Sequence, residues 1–330
     1  MQAGKLPNEL LARLLAKVQP RDPRVILGPG IGRDAAVIDT GGPKLLVAKT
    51  DPITFAADLI GWYAVNINAN DIACMGARPA WLMTTVLLPE SSPPELAETI
   101  FNQVLDACAA LGTELVGGHT EITYRLDRPI VVAALLGEVE RERLVRPEGA
   151  RPGDALILTK GIAIEGTAVL AREAPDTLSG LGMTAAEIAQ AQRCLFEPGI
   201  SVLPEATAAC DAVRVHAMHD PTEGGLATAL YEMAQASGCG ISVDAAAIKV
   251  LPITRRLCEA ARLDPLGLLA SGALLIAVAE EDAEQAISAV RAAGTSVARI
   301  GSIQPPGGGV IMNGDTNGRP FPRFARDEVA

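Results

Sequence analysis

The stretch NINANDIACMGARP (Asn66–Pro79) places polar residues inside a segment that is otherwise apolar. Apolar residues from about Ala57 to Met75 predict a helix that stops at Gly76. The polar members of this helix are poor helix formers: Asn66, Asn68, Asn70 and Asp71. Violations of local rules tend to occur at functional sites. The stretch therefore predicts a helix that carries such a site.

Two more aspartates stand at the ends of other predicted elements. Asp34 follows the glycine-rich loop GPGIG (28–32), and Asp51 is predicted to end a strand in KTDP. Each of these aspartates alone is typical of a turn or a cap. Mg²⁺, however, takes oxygen ligands, usually one or two carboxylates plus substrate phosphates. Together with Asp71 and the asparagine run, the trio favours a site for one or two metal ions that bridge to nucleotide phosphates.

Two glycine-containing segments are candidates for phosphate contacts. GGHTEIT (117–123) follows the predicted strand TELV, and paired glycines at a strand end allow close approach of backbone to a phosphate. HDPTEGG (219–225) lies between a predicted strand and a helix N-terminus, whose N–H groups bind anions. A plain turn for the first segment, and a cap or turn role for Asp220 in the second, remain open. Lys160, at the end of LILTKG, suits either a phosphate contact or a solvated side chain.

Composition excludes several classes of protein. The chain has 330 residues, with 28 basic against 39 acidic residues and a net charge of −11, which argues against a nucleic-acid partner. No run of apolar residues reaches the roughly 18 needed to span a membrane. The six cysteines are scattered, as in proteins of a reducing compartment, and the N-terminus lacks a cleavage-site pattern. We therefore expect a soluble, cytoplasmic protein.

Familiar catalytic and nucleotide motifs are missing. There is no G-x-x-x-x-G-K-[ST] loop and no G-x-S-x-G elbow. GPGIGRD departs from G-x-G-x-x-G because position 33 is Arg, and it precedes a strand instead of a helix. These observations argue against a Walker-type NTPase, a dinucleotide fold and a hydrolase triad.

Helical and strand patterns alternate in both halves of the chain, which predicts two α/β or α+β domains. The charged stretch ERERLVRPEGARPGD (140–154), which contains Pro and Gly, is the best candidate for the boundary. We expect domains over residues 1–150 and 151–330. From Gln304 onward the sequence is rich in Gly and Pro, and we expect it to be weakly ordered.

Seven segments together resemble a known superfamily, in the order seen in HypE-type proteins. They are GIGRDAAVID, KTDP, NANDIACMGARP, GGHTEI, GDALILTKG, HAMHDPTEGGLATALYEMA and LASGALLIAVAEED. The superfamily contains aminoimidazole ribonucleotide synthetase (PurM), the hydrogenase maturation factor HypE, thiamine-monophosphate kinase and selenophosphate synthetase. The similarity runs from about Gly28 to Gly301, and NDIA-x-MGA-x-P and DPT-x-GGL are its specific parts.

The resemblance implies a two-domain PurM-like fold. Its N-terminal four-stranded sheet would join that of a second copy to form a barrel, and its C-terminal domain would be an α/β sandwich. ATP would lie in a cleft built from both domains, with Mg²⁺ bridging its phosphates. Asp34, Asp51 and Asp71 would be metal ligands, with Asp51 and Asp71 central to catalysis. The nucleotide would contact Gly30, Gly32, Asn70, Gly117, Gly118, His119, Thr120, Asp220 and Thr222.

Two differences from the HypE-type sequence pattern leave the identity of the reaction open. HypE-type proteins end in a tail whose cysteine carries the carbamoyl group, whereas this chain has no cysteine after Cys258 and ends FPRFARDEVA. His119 stands where HypE and the thiamine kinase have an acidic residue, and GGHT is similar to selenophosphate synthetase. We expect Mg²⁺-dependent phosphoryl transfer from ATP to an unidentified small molecule or protein. A non-catalytic ATP-binding partner protein, and a small-molecule kinase or selenophosphate synthetase-like enzyme, are the alternatives.

Overall fold

The computed structural model describes residues 6, 8–18, 21–54, 56, 58–313 and 319–329. The chain forms two compact units. The smaller unit contains Arg24–Leu27 and Asp34–Leu144, and the larger contains Met1–Pro23, Gly28–Arg33 and Val145–Ala330. The glycine-rich loop thus belongs to the larger unit, whereas Asp34 belongs to the smaller one.

The helices and strands of the first part of the chain are, in order, α1 (Asn8–Leu15), β1 (Val25–Leu27), β2 (Ala36–Asp39), β3 (Lys44–Ile53), α2 (Ile60–Cys74), β4 (Arg78–Pro89), α3 (Pro94–Leu111), β5 (Glu114–Thr123) and β6 (Ile130–Glu140). Those of the remainder are β7 (Ala155–Thr159), α4 (Ile164–Glu173), α5 (Pro175–Gly180), α6 (Ala185–Arg193), α7 (Leu203–Ala212), β8 (Val215–His219), α8 (Gly225–Ser237), β9 (Gly240–Val243), α9 (Pro252–Ala261), β10 (Leu275–Val278), α10 (Ala283–Ala292), β11 (Val297–Gln304), β12 (Val310–Met312) and β13 (Arg319–Pro320).

The sheet of the smaller unit has the order β1-β2-β3-β6-β4-β5. Its strands pair antiparallel, except that β4 and β5 are parallel. Within the described residues this sheet has six strands, so the expected number of four is wrong. The short strands β1 and β2 extend it beyond β3.

Strand β5 continues through the glycine pair that we predicted to lie at a strand end, with a plain turn as the alternative. It pairs with β4 from Trp81–Glu114 to Pro89–Thr123, so that GGHTEIT is strand and not loop. A Cβ added at Gly118 would lie only 2.1 Å from the carbonyl oxygen of Thr84, and the glycine therefore permits this close pairing. Hydrogen bonding to a strand distant in sequence overrides the local turn preference.

Helix α2 is the predicted polar-containing helix, and it packs against β3, β6 and α3. All of its residues except Trp62 are buried, which explains why its sequence is apolar on every side. Two glycines permit its close packing. A Cβ at Gly61 would lie 2.6 Å from the carbonyl oxygen of Ile100, and one at Gly137 would lie 2.4 Å from Cγ2 of Ile72.

The larger unit contains a sheet of order β13-β12-β9-β11-β7-β10-β8. One face packs on α8, where Leu226 and Leu230 join Leu156 and Leu158 of β7 in a buried cluster. Helix α10 packs on α7 and also contacts β7 and β11. The expected α/β arrangement of two domains is confirmed.

The chain after Gln304 is more ordered than we predicted. Strands β12 and β13 pair with each other, and Phe321 is almost fully buried against the core of the larger unit. Residues 314–318 lie outside the described residues. Burial of the Phe321 side chain stabilises this segment, although its Gly- and Pro-rich composition does not indicate order. No helix among the described residues is long and apolar enough to cross a membrane.

Candidate functional site

Strand β3 and helix α2 bring together the main polar cluster of the smaller unit. Lys49 and Asp51 are two residues apart on β3 and so share one face of the sheet. Lys49 Nζ lies 2.9 Å from Oδ2 of Asp71 on α2 and 3.4 Å from Oδ2 of Asp51. Contrary to the prediction, Asp51 lies within β3 and not at its end.

Asp34 belongs to the same cluster. It precedes β2, in which Ala36 pairs with Ala48 of β3, so the antiparallel register carries Asp34 toward Thr50. Its charge acts on Lys49 together with those of Asp71 and Asp51. The three aspartates that we selected from the sequence therefore converge on one lysine.

Burial and charge oppose each other at Lys49. Only 11% of its side chain is exposed, against 7% for Asp71 and 43% for Asp51. Burial would lower the pKa of Lys49, but the carboxylates of Asp71, Asp51 and Asp34 outweigh this effect and raise its pKa well above its ordinary value. Lys49 is thus held as a cation. We did not select Lys49 from the sequence, although its position two residues before Asp51 was the available signal.

The charges of the cluster suit a divalent cation. Three carboxylates face one ammonium group, leaving a net formal charge of −2. Within the described residues, no three Asp, Glu, His or Cys side chains are grouped closely enough to hold a metal ion by themselves. An ion at this position would therefore need further ligands from phosphate oxygens or water, which is how Mg²⁺ is usually bound.

The asparagines of α2 form hydrogen bonds both within the helix and to strand β3. Asn66 Nδ2 donates to the carbonyl oxygen of Trp62 one turn earlier (3.0 Å), a local helix contact. Asn68 Nδ2 donates to the carbonyl oxygen of Ala64 (2.8 Å) and reaches that of Asp51 (3.4 Å), which ties α2 to β3. Asn70, next to Asp71, is fully buried. The asparagine run therefore fixes the helix beside the strand that carries Lys49.

Gly117, Gly118, His119 and Thr120 lie apart from this cluster within the smaller unit. They occupy β5 at the edge of the sheet, and all four are exposed. His119 Nε2 lies 3.3 Å from Oε2 of Glu121. Since β6 and β4 separate β5 from β3, typical strand spacing puts the two strands roughly 14 Å apart.

The remaining predicted residues flank α8 in the larger unit. Asp220 is buried directly after β8, and the carbonyl oxygen of Thr222 accepts from the N–H groups of Gly225 (3.0 Å) and Ala270 (3.3 Å). Gly32 has φ +70°, and a Cβ there would lie 3.5 Å from Cβ of Ala236 on α8. Gly30 lies beside Arg33, whose Cδ would be 2.8 Å from an added Cβ.

Asp220 is one of three acidic residues of the larger unit whose charges act on a fourth, Glu165. Strands β7 and β8 both end at the same edge of the sheet, because β10 lies antiparallel between them. Burial raises the pKa of Glu165, at the start of α4, to about 8. The neighbouring hydroxyl of Ser271 lowers this pKa, whereas the charges of Glu223, Asp327 and Asp220 raise it further. Glu165 is therefore a neutral acid at pH 7, a feature that the sequence analysis missed.

Lys160 has neither of the roles that we considered. Its Nζ lies 2.8 Å from Oε1 of Glu205 and donates to the carbonyl oxygen of Ser201 (2.5 Å). The side chains of Lys160 and Glu205 are 7% and 0% exposed. Thr159 also donates to Glu205 (3.2 Å). Lys160 therefore forms a buried ion pair with Glu205, and its charge is not directed to solvent.

Comparison with known proteins places this arrangement in a family. The N-terminal domain of the AIR synthase related protein family matches residues 32–139, and its C-terminal domain matches residues 151–313. The chain belongs to the AIR synthase related protein family. The superfamily resemblance that we drew from the seven segments is confirmed.

Among its relatives is a putative hydrogenase expression/formation protein of Methanocaldococcus jannaschii, 30% identical over 263 residues, 78% of this chain and 75% of that protein. The carbamoyl dehydratase HypE of Cupriavidus necator is 31% identical over 284 residues, 82% of this chain and 77% of the relative. A crystal structure of the hydrogenase maturation protein HypE in complex with ATP matches with a TM-score of 0.70 and 26% identity, covering 96% of both chains. This AIR synthase related chain is thus of the HypE type.

The buried Glu165 predicts a specific pH dependence of stability. Its pKa is about 8 in the folded protein against 4.5 for the ordinary side chain. The stabilisation of the folded state by protonated Glu165 is therefore fully present below pH 4.5 and is lost as the pH rises through 8. We expect the free energy of unfolding to fall from about pH 5 to about pH 8, on the order of 1 kcal/mol per pH unit.

Denaturant titrations of the wild type, Glu165→Gln and Glu259→Gln would check this prediction. Gln stays neutral, so Glu165→Gln should flatten the pH dependence, whereas Glu259→Gln, on the exposed side of α9, should leave the wild-type slope unchanged. Equal slopes in wild type and Glu165→Gln would show that Glu165 does not hold a proton in the folded state.

Proposed function

We propose that this AIR synthase related protein binds ATP with Mg²⁺ and transfers a phosphoryl group to an unidentified acceptor. The observation that carries the proposal is the convergence of Asp34, Asp51 and Asp71 on the buried Lys49. A cluster with excess negative charge suits a cation that in turn binds phosphate. The resemblance to HypE, which has been solved with ATP, supports the choice of nucleotide.

Each residue of the cluster has a defined task in this proposal. Asp51 and Asp71 provide oxygen ligands, and Asp34 adds a third carboxylate. Lys49 fixes the orientation of Asp71 and spaces it from Asp51. Mg²⁺, when bound, would neutralise phosphate charge, which is a large part of catalysis in phosphoryl transfer. The buried Asn70 would support the metal ligands from the next position on α2.

Other residues are proposed as contacts to the nucleotide. Gly30, Gly32, Asp220 and Thr222 would serve the phosphates, because backbone N–H groups near the start of α8 suit an anion. Gly117, Gly118, His119 and Thr120 would contribute from the exposed edge of β5. The acceptor is a small molecule or a protein.

A second candidate function is ATP binding without turnover, as a partner protein. Residues 319–329, which contain no cysteine, are held against the larger unit, as shown by Tyr231 Oη donating to the carbonyl oxygen of Phe321 (2.6 Å). This arrangement favours a structural role for that segment over delivery of a reactive thiol. A small-molecule kinase would differ only in the acceptor. A selenophosphate synthetase-like enzyme, in which selenide and water both accept a phosphoryl group, would release AMP and phosphate instead of ADP.

We also propose that the protein is a homodimer. Strand β5 leaves its outer edge without a partner strand among the described residues. Large apolar side chains are exposed on and just after it: Val116 (56%), Ile122 (64%) and Tyr124 (70%). Such an edge is a template for pairing with another chain, and a second copy would cover it.

Asp71→Asn tests the role of the cluster in phosphoryl transfer. The amide keeps the shape of the side chain but removes the charge that pairs with Lys49 and would bind Mg²⁺. We expect Mg²⁺-dependent ADP formation to fall by at least about 100-fold, as for loss of other preorganised electrostatic groups. ADP, and with selenide also AMP, is to be measured with a panel of acceptors that includes thiamine monophosphate and selenide.

Asp106→Asn, on the exposed side of α3, is the matched control and should keep full activity. ADP formed at equal rates by wild type and Asp71→Asn would refute the metal role. Nucleotide binding without ADP formation for every acceptor in the panel would support the second candidate.

The homodimer is tested by Ile122→Lys. A lysine on β5 adds a charge where a second copy would have to pair, so we expect a shift from dimer to monomer. Light scattering after size-exclusion chromatography measures the molar mass. Phe101→Lys, which changes an exposed apolar residue of α3, should leave the dimer intact. A monomeric wild type would contradict the proposal.

A further inference from the structure

Residues 319–329 form a strap across the larger unit. Phe321 is 2% exposed, and its carbonyl oxygen accepts a hydrogen bond from Tyr231 Oη of α8. Arg323 lies over the ring of Tyr231, 3.8 Å from the ring centroid. Phe324 lies so close to Gly267 that an added Cβ there would be 2.5 Å from its ring. The strap is therefore packed on both α8 and the loop before β10.

Asp327 is the residue of the strap that contacts the DPTEGG segment (220–225), which we proposed as a phosphate contact. Its Oδ2 accepts from the N–H of Gly224 (2.6 Å), and its Oδ1 accepts from the N–H groups of Leu269 (3.2 Å) and Val329 (2.9 Å). The side chain is largely buried. Burial raises its pKa, although the three N–H donors lower it. One carboxylate thus joins two loops that are more than forty residues apart in sequence.

One of the loops that Asp327 joins leads into α8. Gly224 is the N-cap residue of this helix, with φ +77°, and has no side chain that could cap it. Gly225 has φ +65°, and an added Cβ would lie 2.5 Å from the carbonyl oxygen of Leu266. Thr222 joins the same two loops through its carbonyl oxygen, which accepts from Gly225 and Ala270. Asp327 therefore holds the N-cap residue of α8 from outside the DPTEGG segment.

We propose that Asp327 is a positioning residue that holds the DPTEGG segment in the conformation required for nucleotide binding. This inference rests on the proposed function, since it takes Asp220 and Thr222 as contacts to phosphate. It assigns to the strap a role in ligand affinity, in addition to its packing role. The strap residue acts through Gly224 and Leu269 and is not itself a contact to the ligand.

The test compares Asp327→Asn with Glu328→Gln. Asn keeps the size of the side chain but replaces one acceptor oxygen with a donor, so Gly224 and Leu269 can no longer share one carboxylate. Glu328 is a control from the same strap, because its carboxylate also accepts from a backbone N–H, that of Asp264 (3.1 Å), in the loop of Leu269 but not in the DPTEGG segment. Two readouts are needed: hydrogen exchange of peptides covering 219–226 and 266–272, and the Kd of ATP with Mg²⁺.

We expect Asp327→Asn to speed exchange in both peptides and to raise the Kd about tenfold, in the range found for lost helix caps. Glu328→Gln should leave the exchange of peptide 219–226 and the Kd unchanged. An unchanged Kd in Asp327→Asn, at a temperature where melting shows it fully folded, would overturn the inference even if its melting temperature fell. Unchanged hydrogen exchange of both peptides in Asp327→Asn, measured in the absence of ligand, would also overturn the inference. A wild type that binds no ATP would instead disprove the proposed function itself.

Discussion

The structure of the smaller unit depends on the pairing of the buried Lys49 with Asp71. An ammonium group taken out of water without a partner costs several kcal/mol, so α2 must lie where Asp71 can reach it. The 2.9 Å contact satisfies this requirement. It is achieved because Gly61 and Gly137 allow α2 to approach α3 and β6 closely. The same packing that buries the helix also collects Asp34 and Asp51 around one cation.

The larger unit places acidic groups together in a different way. The charges of Asp220, Glu223 and Asp327 act on Glu165, and no lysine is among the groups that shift its pKa. One acid is left neutral by burial, and Asp327 is stabilised by backbone N–H groups. The buried Lys160 of this unit is instead paired with Glu205. Charge in this unit therefore orders loops, whereas in the smaller unit it creates a candidate cation site.

Much of this arrangement follows from local sequence, and the rest does not. The polar residues of NINANDIA identify α2 because they contradict an apolar helix, and ordered motifs identify the family. Lys49 and Lys160 could not be assigned, since burial of a lysine depends on a partner far away in sequence. The glycines of β5 were predicted at a strand end, whereas the strand continues through them, because their pairing with β4 is not local. The order of the strap was missed for the same reason: Phe321 and Asp327 acquire their partners only in the folded chain.

The most direct test of the central claim is isothermal titration calorimetry of ATP into the purified protein, with Mg²⁺ and then with EDTA. If the carboxylates around Lys49 accept a metal–nucleotide complex, heat of binding appears with Mg²⁺ and affinity falls sharply when the metal is removed. No heat under either condition would contradict the account. Equal affinity with and without the metal would refute the role of the three aspartates.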